Sequence, residues 1–555
     1  MWLGIDVGGT FTDAVVIANG EILAQAKAPT THTDLLSGIL AAVDLVMHGM
    51  VCSGVERVAL STTIVTNAVV QGKTDTVGLL LLPGPGVNLN KMLPELPITL
   101  AGYVDHRGRE TSLPDEKEVI KACEQLQDRS ALAVVGKFAV RNPRQELQVA
   151  RWVKEQLPGR HVTAGSSISG ALNFWRRTNS AYYNSAVHRH FGEFSTAITT
   201  ALQQRQITAP VFVLKADGGT LPLVVAEQNP VETIFTGPAA SVLGIMAMTA
   251  PSGETVSLDV GGTTTDIALW QDGLPLFASR GARINGFPTA VRAFWMRSVG
   301  IGGDSFVRWE GEQIKVGPMR LGPAMALGGE YPTVSDALIV AGHVHFGDRA
   351  AAMKAMEKLT RNGGSSENTA ALVLEAAATI IHQEIDAMIL EQAAEPVYKV
   401  DDIINGRPIA PELLIGVGGA APGLAPLVAK IRGIDYQTPP GAMVANAVGA
   451  AVARPTTEVT LRADTSQGIY TVAELGLRQK LTKRSLTPTD VRDLARQHLR
   501  ERAVQSGINF ETAEVVYEEE FNLVRGFSTI GKILTCRLQV KPGVLRAICG
   551  KEGVL

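Results

Sequence analysis

Cysteine is scarce: the 555 residues contain four, at positions 52, 123, 536 and 549, with no C-x-x-C pair and no histidine at zinc spacing. That scarcity excludes a disulfide framework and a structural zinc site, and it fits a reducing cytoplasm. Excess charge of either sign is also lacking, since the net charge is -3. Without a basic field, neither nucleic acid nor an anionic membrane is an expected partner. No apolar run approaches bilayer length, and Trp2 to Asp6 opens as a strand rather than as a basic n-region, so neither a membrane span nor an export signal is expected. What is present is a globular mixture, 45% hydrophobic and 19% charged, in a chain long enough for several cores.

The most informative feature is an internal repeat. Asp6-Val7-Gly8-Gly9-Thr10-Phe11-Thr12-Asp13 and Asp259-Val260-Gly261-Gly262-Thr263-Thr264-Thr265-Asp266 differ at one position. Each lies between two apolar strand-like runs, and each is followed, 13 residues beyond its leading aspartate, by a type I′ hairpin signal, Asn19-Gly20 or Asp272-Gly273. Two distant copies imply duplicated lobes, each opening with a β-hairpin, rather than a tandem solenoid. Adjacent glycines let the backbone turn sharply and bring its N–H groups against a bulky anion, with threonine hydroxyls beside them. An aspartate at the tip of the first strand repels phosphate but holds Mg²⁺ through water or orients a nucleophile. One copy alone reads more readily as a tight hairpin turn; the matched pair points to phosphate binding.

These residues resemble the actin, sugar kinase and Hsp70 superfamily, and within it the hydantoinase A and oxoprolinase family. The resemblance also rests on Thr62-Thr63-Ile-Val-Thr66-Asn67-Ala68, Arg141-Asn142-Pro143, Arg177-Thr178-Asn179-Ser180, Thr233 to Ser241 and Pro332 to Ala337, in family order through most of residues 1 to 450. It implies an α/β fold of two duplicated, ribonuclease H-like ATPase lobes with a small C-terminal α+β appendage. It further implies ATP and Mg²⁺ as cofactors, with Gly237 to Ala240 and Asn446 to Ala450 in the two interlobe helices. Gly8, Gly9, Thr10, Thr12, Gly261, Gly262, Thr263 and Thr264 would hold phosphates, Gly302 and Gly303 would neighbour the nucleotide, and Gly416, Gly418 and Gly419 would form the adenosine loop. Asp6 and Asp259 would position the metal, while Asp13 and Asp266 would order the loops or approach the transferred phosphoryl. The implied activity is ATP-dependent ring opening of a hydantoin-like or oxoproline-like cyclic amide or imide, with a B-type hydrolase subunit as partner. A carboxylase subunit and a non-catalytic nucleotide switch stay open beside it. Departures from the family pattern are Leu60-Ser61 in place of His-Gly, Leu82-Pro-Gly-Pro-Gly86 in place of an arginine-rich segment, and Met325-Ala326 in place of Cys-Tyr. They put the substrate in doubt rather than the phosphate loops.

Other motifs carry less. Gly72-Lys73-Thr74 lacks the leading glycine of a P-loop, since residue 67 is Asn67. Gly416-Val-Gly418-Gly419-Ala-Ala421 with Asp435 imitates a dinucleotide fingerprint, but late in the chain, which favours adenosine binding. Gly300 to Ser305 reads as a glycine turn before a helix, open to an anion or capped by Asp304. His188 with His190 and His343 with His345 lack a third ligand. Asp217, in a polar glycine turn, approaches substrate or merely closes that turn.

Residues 1–168 read as the first lobe, 169–454 as the second with a helical insert, and 455–555 as the appendage. Helices are expected from Thr33 to Met47, Glu116 to Leu126, Arg349 to Arg361 and Asn368 to Gln392, the last two as cover rather than active site. One more is expected from Pro488 to Arg502, opened by Thr487 and Asp490, with Val515 to Phe521 as a solvated edge strand or a partner surface.

Overall fold

The computed structural model describes residues 1–548 apart from 10, 31–34, 90–92, 362, 395–408, 484 and 511. Thr10 therefore lies outside the described residues, as do Cys549 and the start of the first expected helix, which is seen as Leu35–Val46.

Both copies of the repeat form the hairpins that the sequence predicts. Trp2–Val7 pairs antiparallel with Phe11–Ala18, and Thr255–Val260 with Thr265–Gln271. In each, the leading and trailing aspartates are direct cross-strand partners, Asp6 with Asp13 and Asp259 with Asp266. Each turn is closed by the same bond, Gly8 N–H to Phe11 O at 3.1 Å and Gly261 N–H to Thr264 O at 2.9 Å. The next turns along the chain have positive φ at both central residues, Asn19 and Gly20 at 53° and 85°, Asp272 and Gly273 at 51° and 74°, as type I′ geometry requires.

The two sheets grow from these hairpins in the same order. In the first, Glu21–Pro29, Phe11–Ala18, Trp2–Val7, Arg57–Thr62 and Val211–Leu214 lie side by side, with Thr220–Pro222 outermost. In the second the order is Leu274–Pro275, Thr265–Gln271, Thr255–Val260, Leu413–Val417 and Asp435–Gln437. The protein is thus the duplicated two-lobed α/β fold that the resemblance implies. Central strands such as Arg57–Thr62 are buried at every position, because helices cover both faces of the sheet.

The first lobe does not stop at residue 168. Val211–Leu214 pairs in parallel with Arg57–Thr62, and between them, after Ile64–Val70 has packed on the lobe's own core, the chain makes an excursion. That excursion builds a parallel sheet of His161–Ala164, Ala131–Gly136, Val77–Leu82 and Ile98–Thr99. Glu116–Gln125 and Arg144–Gln156 cover one face of it, and the long helix Phe174–Gln204 the other. In the second lobe Val334–Val340, Arg349–Leu359, Ser366–Ala393 and Ala421–Arg432 pack into one core with the hairpin.

Thr236–Met248 and Ala445–Val452 run between the lobes and cross each other. The crossing is made by backbone: a Cβ on Gly244 would collide with Ala445, and one on Gly449 with Ala240 and Gly244. The C-terminal module is a five-stranded antiparallel sheet carrying Pro488–Gln505, whose capping box is Thr487 with Asp490. Its outermost strand, Ala513–Arg525, pairs on one side only and is largely exposed.

Candidate active site

The crossing helices bring the two hairpins to face each other across a cleft. Asn446, on the second of them, donates from Nδ2 to Asp259 Oδ2 at 3.1 Å and also lies against Asp6. Asp259 feels the charges of Asp266, Asp6 and Asp13, so the structure brings the sequence-selected carboxylates together. Burial is the largest influence on each. It raises Asp6 to about 7, Asp259 to about 8 and Asp266 to about 6, and it raises Asp13 as well. Asp6 Oδ1 is buried without a hydrogen-bond donor among the described residues.

The duplication is broken at its chemistry. Asp13 has a lysine partner, Lys27 at 2.7 Å, its neighbour on the adjacent strand. The equivalent Asp266 has instead Ser298, its neighbour on Met296–Val299. Ser61 is the parallel-strand partner of Asp6 and pulls its pKa back down. The departure from the family's His-Gly therefore sits in the site, not outside it, while Leu60 is plain core. Thr236 Oγ1 accepts from Thr62 N–H at 3.0 Å and donates to Thr62 O at 2.8 Å, and Thr63 Oγ1 donates to Val7 O at 3.1 Å. The Thr62-Thr63 motif thus stitches the first hairpin to the start of an interlobe helix.

The glycine and threonine assignments divide. Gly9 and Thr263 are exposed, and among the described residues the amides of Gly9, Gly262 and Thr263 have no acceptor within the chain, so they are open to an anion. The Gly8 and Gly261 amides close the turns, and Thr264 is half-buried beside them. Thr12 points the other way, because neighbours on a strand alternate faces; it is buried against Thr30 Oγ1 at 3.1 Å. Gly302 and Gly303 spend their amides on Ser305 Oγ at 2.8 Å and Gly261 O at 2.9 Å, so these amides buttress the second turn. A strand, Val307–Glu310, comes after them instead of a helix, and Asp304 pairs with Arg320 at 2.8 Å. Gly416 is a packing glycine, where a Cβ would stand 2.6 Å from that of Ala425. Gly418 (φ 92°) passes behind Asp259, so close that a Cβ there would lie 2.5 Å from Oδ1. Gly419 faces open space before Ala421–Arg432.

Other polar motifs turn out structural. Asp217 is buried against Lys215 at 3.2 Å and accepts from Gln539 Nε2 at 2.6 Å, in a network joining the first lobe to the C-terminal module. Arg177 is fully buried and bonds the carbonyls of Ala171, Gly136 and Lys137. Asp336 is a helix cap, accepting from Ala326 N–H at 2.9 Å and Thr333 N–H at 2.9 Å. His188 stacks on His161 at 3.4 Å, and burial pushes His161 down to about 3; His343 and His345 lie on no strand. Among the described residues no three potential ligands converge on a metal position.

Beside the second hairpin lies a cavity of about 750 Å³, which sequence reasoning missed. Its wall includes Asp266 and Ser298, the aromatic rings of Trp175, Phe235, Phe294 and Trp295, and four arginines, Arg176, Arg280, Arg283 and Arg297. The Arg177-Thr-Asn-Ser180 helix pins that wall: Asn179 Nδ2 donates to Pro288 O at 2.9 Å, and Ser180 Oγ accepts from Ala290 N–H at 2.8 Å. Ser366–Ala393, expected only as cover, contributes Glu391.

Comparison with known proteins places this geometry in a family. The profile described as "Hydantoinase/oxoprolinase" matches residues 177–459, and that of the "Hydantoinase/oxoprolinase N-terminal region" matches residues 2–157. The chain belongs to the hydantoinase/oxoprolinase family. It is 25% identical over 466 residues to caprolactamase subunit alpha of Pseudomonas jessenii, and 26% identical over 477 residues to the acetophenone carboxylase gamma subunit of Aromatoleum aromaticum. Each match covers 76% of this chain and only 65% and 63% of those relatives. Among solved structures, nucleotide-free acetone carboxylase aligns with a TM-score of 0.73 at 19% identity, covering 99% of this chain and 89% of that one. The ATP-dependent caprolactamase of Pseudomonas jessenii aligns at 0.71 and 21% identity, covering 100% and 89%. Both share the family's fold. No described helix is long and apolar enough to cross a membrane.

Proposed function

We propose that this protein is the ATP-binding subunit of an enzyme that opens a cyclic amide or imide ring at the expense of ATP. The observation that carries the reading is the facing pair of hairpins, with open amides at both tips and the Asp6 and Asp259 carboxylates linked through Asn446. Carboxylates at raised pKa, Asp6 buried and the others half-buried, with Lys27 the one cation paired to them among the described residues, suit a hard divalent ion, and the bare Asp6 Oδ1 is an available ligand. Bound there, Mg²⁺ would neutralise charge between carboxylate and phosphate. The name of one relative, caprolactamase subunit alpha, supports lactam chemistry.

A lactam carbonyl is a poor electrophile. Transfer of the γ-phosphoryl to its oxygen leaves ADP and an activated carbon. Water adds to that carbon, the ring C–N bond breaks with the amine leaving, and hydrolysis of the resulting acyl phosphate releases phosphate. The hairpin amides would hold the triphosphate, Asp6 and Asp259 would fix the metal-bound end, and Asp266, beside the cavity, would face the transferred group. A second water-active subunit of B type would complete the hydrolysis.

Asp6→Asn and Asp259→Asn should each lower ATP turnover about 10²-fold, because each removes charge placed for the transition state. The assay is phosphate release with Mg²⁺-ATP across cyclic amides and imides, with and without a B-type subunit; wild-type rates in both variants would refute the assignment. The likeness to a carboxylase gamma subunit favours one alternative, activation of a ketone or bicarbonate at the same site. Bicarbonate-dependent phosphate release separates it. Binding of ATP with slow turnover and no small-molecule stimulation would leave a nucleotide switch.

A further inference from the structure

The two hairpins are not equivalent, and their differences fall together. Across four adjacent strands of the first lobe, Ser61, Asp6, Asp13 and Lys27 are successive partners; in the second lobe the row is Val417, Asp259, Asp266 and Ser298. A lysine ends one row and a neutral serine the other. The residue at which the repeated motifs differ, Phe11 against Thr264, lies beside that lysine. The Lys27 ammonium stands 5.1 Å from the centre of the Phe11 ring and 2.7 Å from Asp13 Oδ1, so ring and carboxylate together aim it. The Asp13 side chain is 13% exposed and that of Lys27 36%, which leaves donors of the ammonium free for a ligand.

The course of its strand, Glu21–Pro29, fixes what Lys27 can reach. Just past that strand, Thr30 Oγ1 donates to Gly8 O at 3.0 Å, so Lys27 stands near the first turn, where the Gly9 amide is open. The same strand borders the glycine loop of the other lobe. Gly441 packs on it, where a Cβ would lie 3.2 Å from Ile22 Cδ1, and the adjoining Ala442 O accepts from Gly418 N–H at 3.0 Å. The cavity beside Asp266 takes no residue from this strand. Lys27 is therefore on the glycine-loop side of the paired hairpins, and the cavity on the Asp266 side.

Resting on the ATP-binding reading, we propose that Lys27 binds the phosphates that stay with ADP, so that the first hairpin carries the leaving group and the second faces the acceptor. A nucleotide with its adenosine at Gly418 and Gly419 and its terminal phosphoryl toward the cavity passes Lys27 with its inner phosphates. In the transfer, the bond from the γ-phosphorus to the bridging oxygen breaks and its electron pair stays on the β-phosphate, while the phosphorus bonds to the acceptor oxygen. The ammonium stabilises the charge that builds on the β-phosphate. Asp13 is then a positioning residue that holds Lys27, and it does not meet the transferred group.

The test is equilibrium binding of Mg²⁺-ADP and of a non-hydrolysable Mg²⁺-ATP analogue to the full chain, without a lactam. Lys27→Gln should weaken both about tenfold, the effect of one charged hydrogen bond, and by the same factor, because the contact is to phosphates that both ligands carry. Lys27→Arg, which keeps the charge, should restore most of the lost affinity. Lys73→Gln, an equal change of charge on an exposed turn, should alter neither. A loss confined to the ATP analogue would overturn the proposal, since it would move Lys27 to the transferred phosphoryl. So would a loss that Lys27→Arg does not restore and that a lower ligand-free urea midpoint accompanies, which would make the ion pair structural. A wild-type chain that binds neither nucleotide refutes the ATP-binding reading itself. Wild type and Lys27→Gln binding both nucleotides equally well refutes the lysine assignment alone.

Discussion

Burying the aspartates of both hairpins around one cleft fixes a pH dependence of stability. Folding raises Asp6 to about 7, Asp259 to about 8 and Asp266 to about 6, so between the ordinary carboxylate range and these values the folded state holds more protons than the unfolded one. The stabilisation is complete on the acid side of that window and is lost as pH rises through it. In the absence of divalent cation, the melting temperature should fall from about pH 5 to about pH 8, with a shallower fall in Asp259→Asn. A wild-type profile that rises over this range would contradict the burial. The aspartates are legible in sequence because they occur in matched repeats, whereas their partners are not. Counting from the Asn19-Gly20 turn pairs Asp13 with Ala26, but a bulge between Val16 and Ile17 slips the register by one and delivers Lys27 instead. Ser61 and Asn446 reach the site from distant segments, which no local pattern records.

At the level of elements, the interlobe helices depend on the lack of side chains where they cross. Substituting Gly449 by Val should force the helices apart and destabilise the protein by about 1–3 kcal/mol in urea unfolding, as overpacking does. An unchanged midpoint would mean that the crossing is loose. Gly418→Ala combines φ 92° with a clash against Asp259, and it should lower ATP turnover more than it lowers stability. Element boundaries with local chemistry are readable: Thr487 and Asp490 announce the helix that runs to Gln505, and apolar periodicity finds Glu116–Gln125. Sequence order alone puts Val211–Leu214 in the second lobe, because its pairing partner lies far upstream, across an inserted sheet. The Gly300 to Ser305 turn imitates a helix start, since glycine signals a turn without specifying whether a helix or a strand comes next.

For the molecule as a whole, a ligand gripped by both hairpins should stabilise the lobes as one unit. Mg²⁺-nucleotide at about 100 times its dissociation constant should add about 2.7 kcal/mol to unfolding, and Asp6→Asn should lose most of that gain. Thermal melts with and without nucleotide measure both. The lobes are tied by Thr236–Met248 and again by Ala445–Val452, and these two ties touch at Gly244 and Gly449. A door hung on two neighbouring pins can swing but cannot twist or drift. Any opening of the cleft would therefore turn about the glycine contact, the point that sets how far apart the Asp6 and Asp259 tips stand.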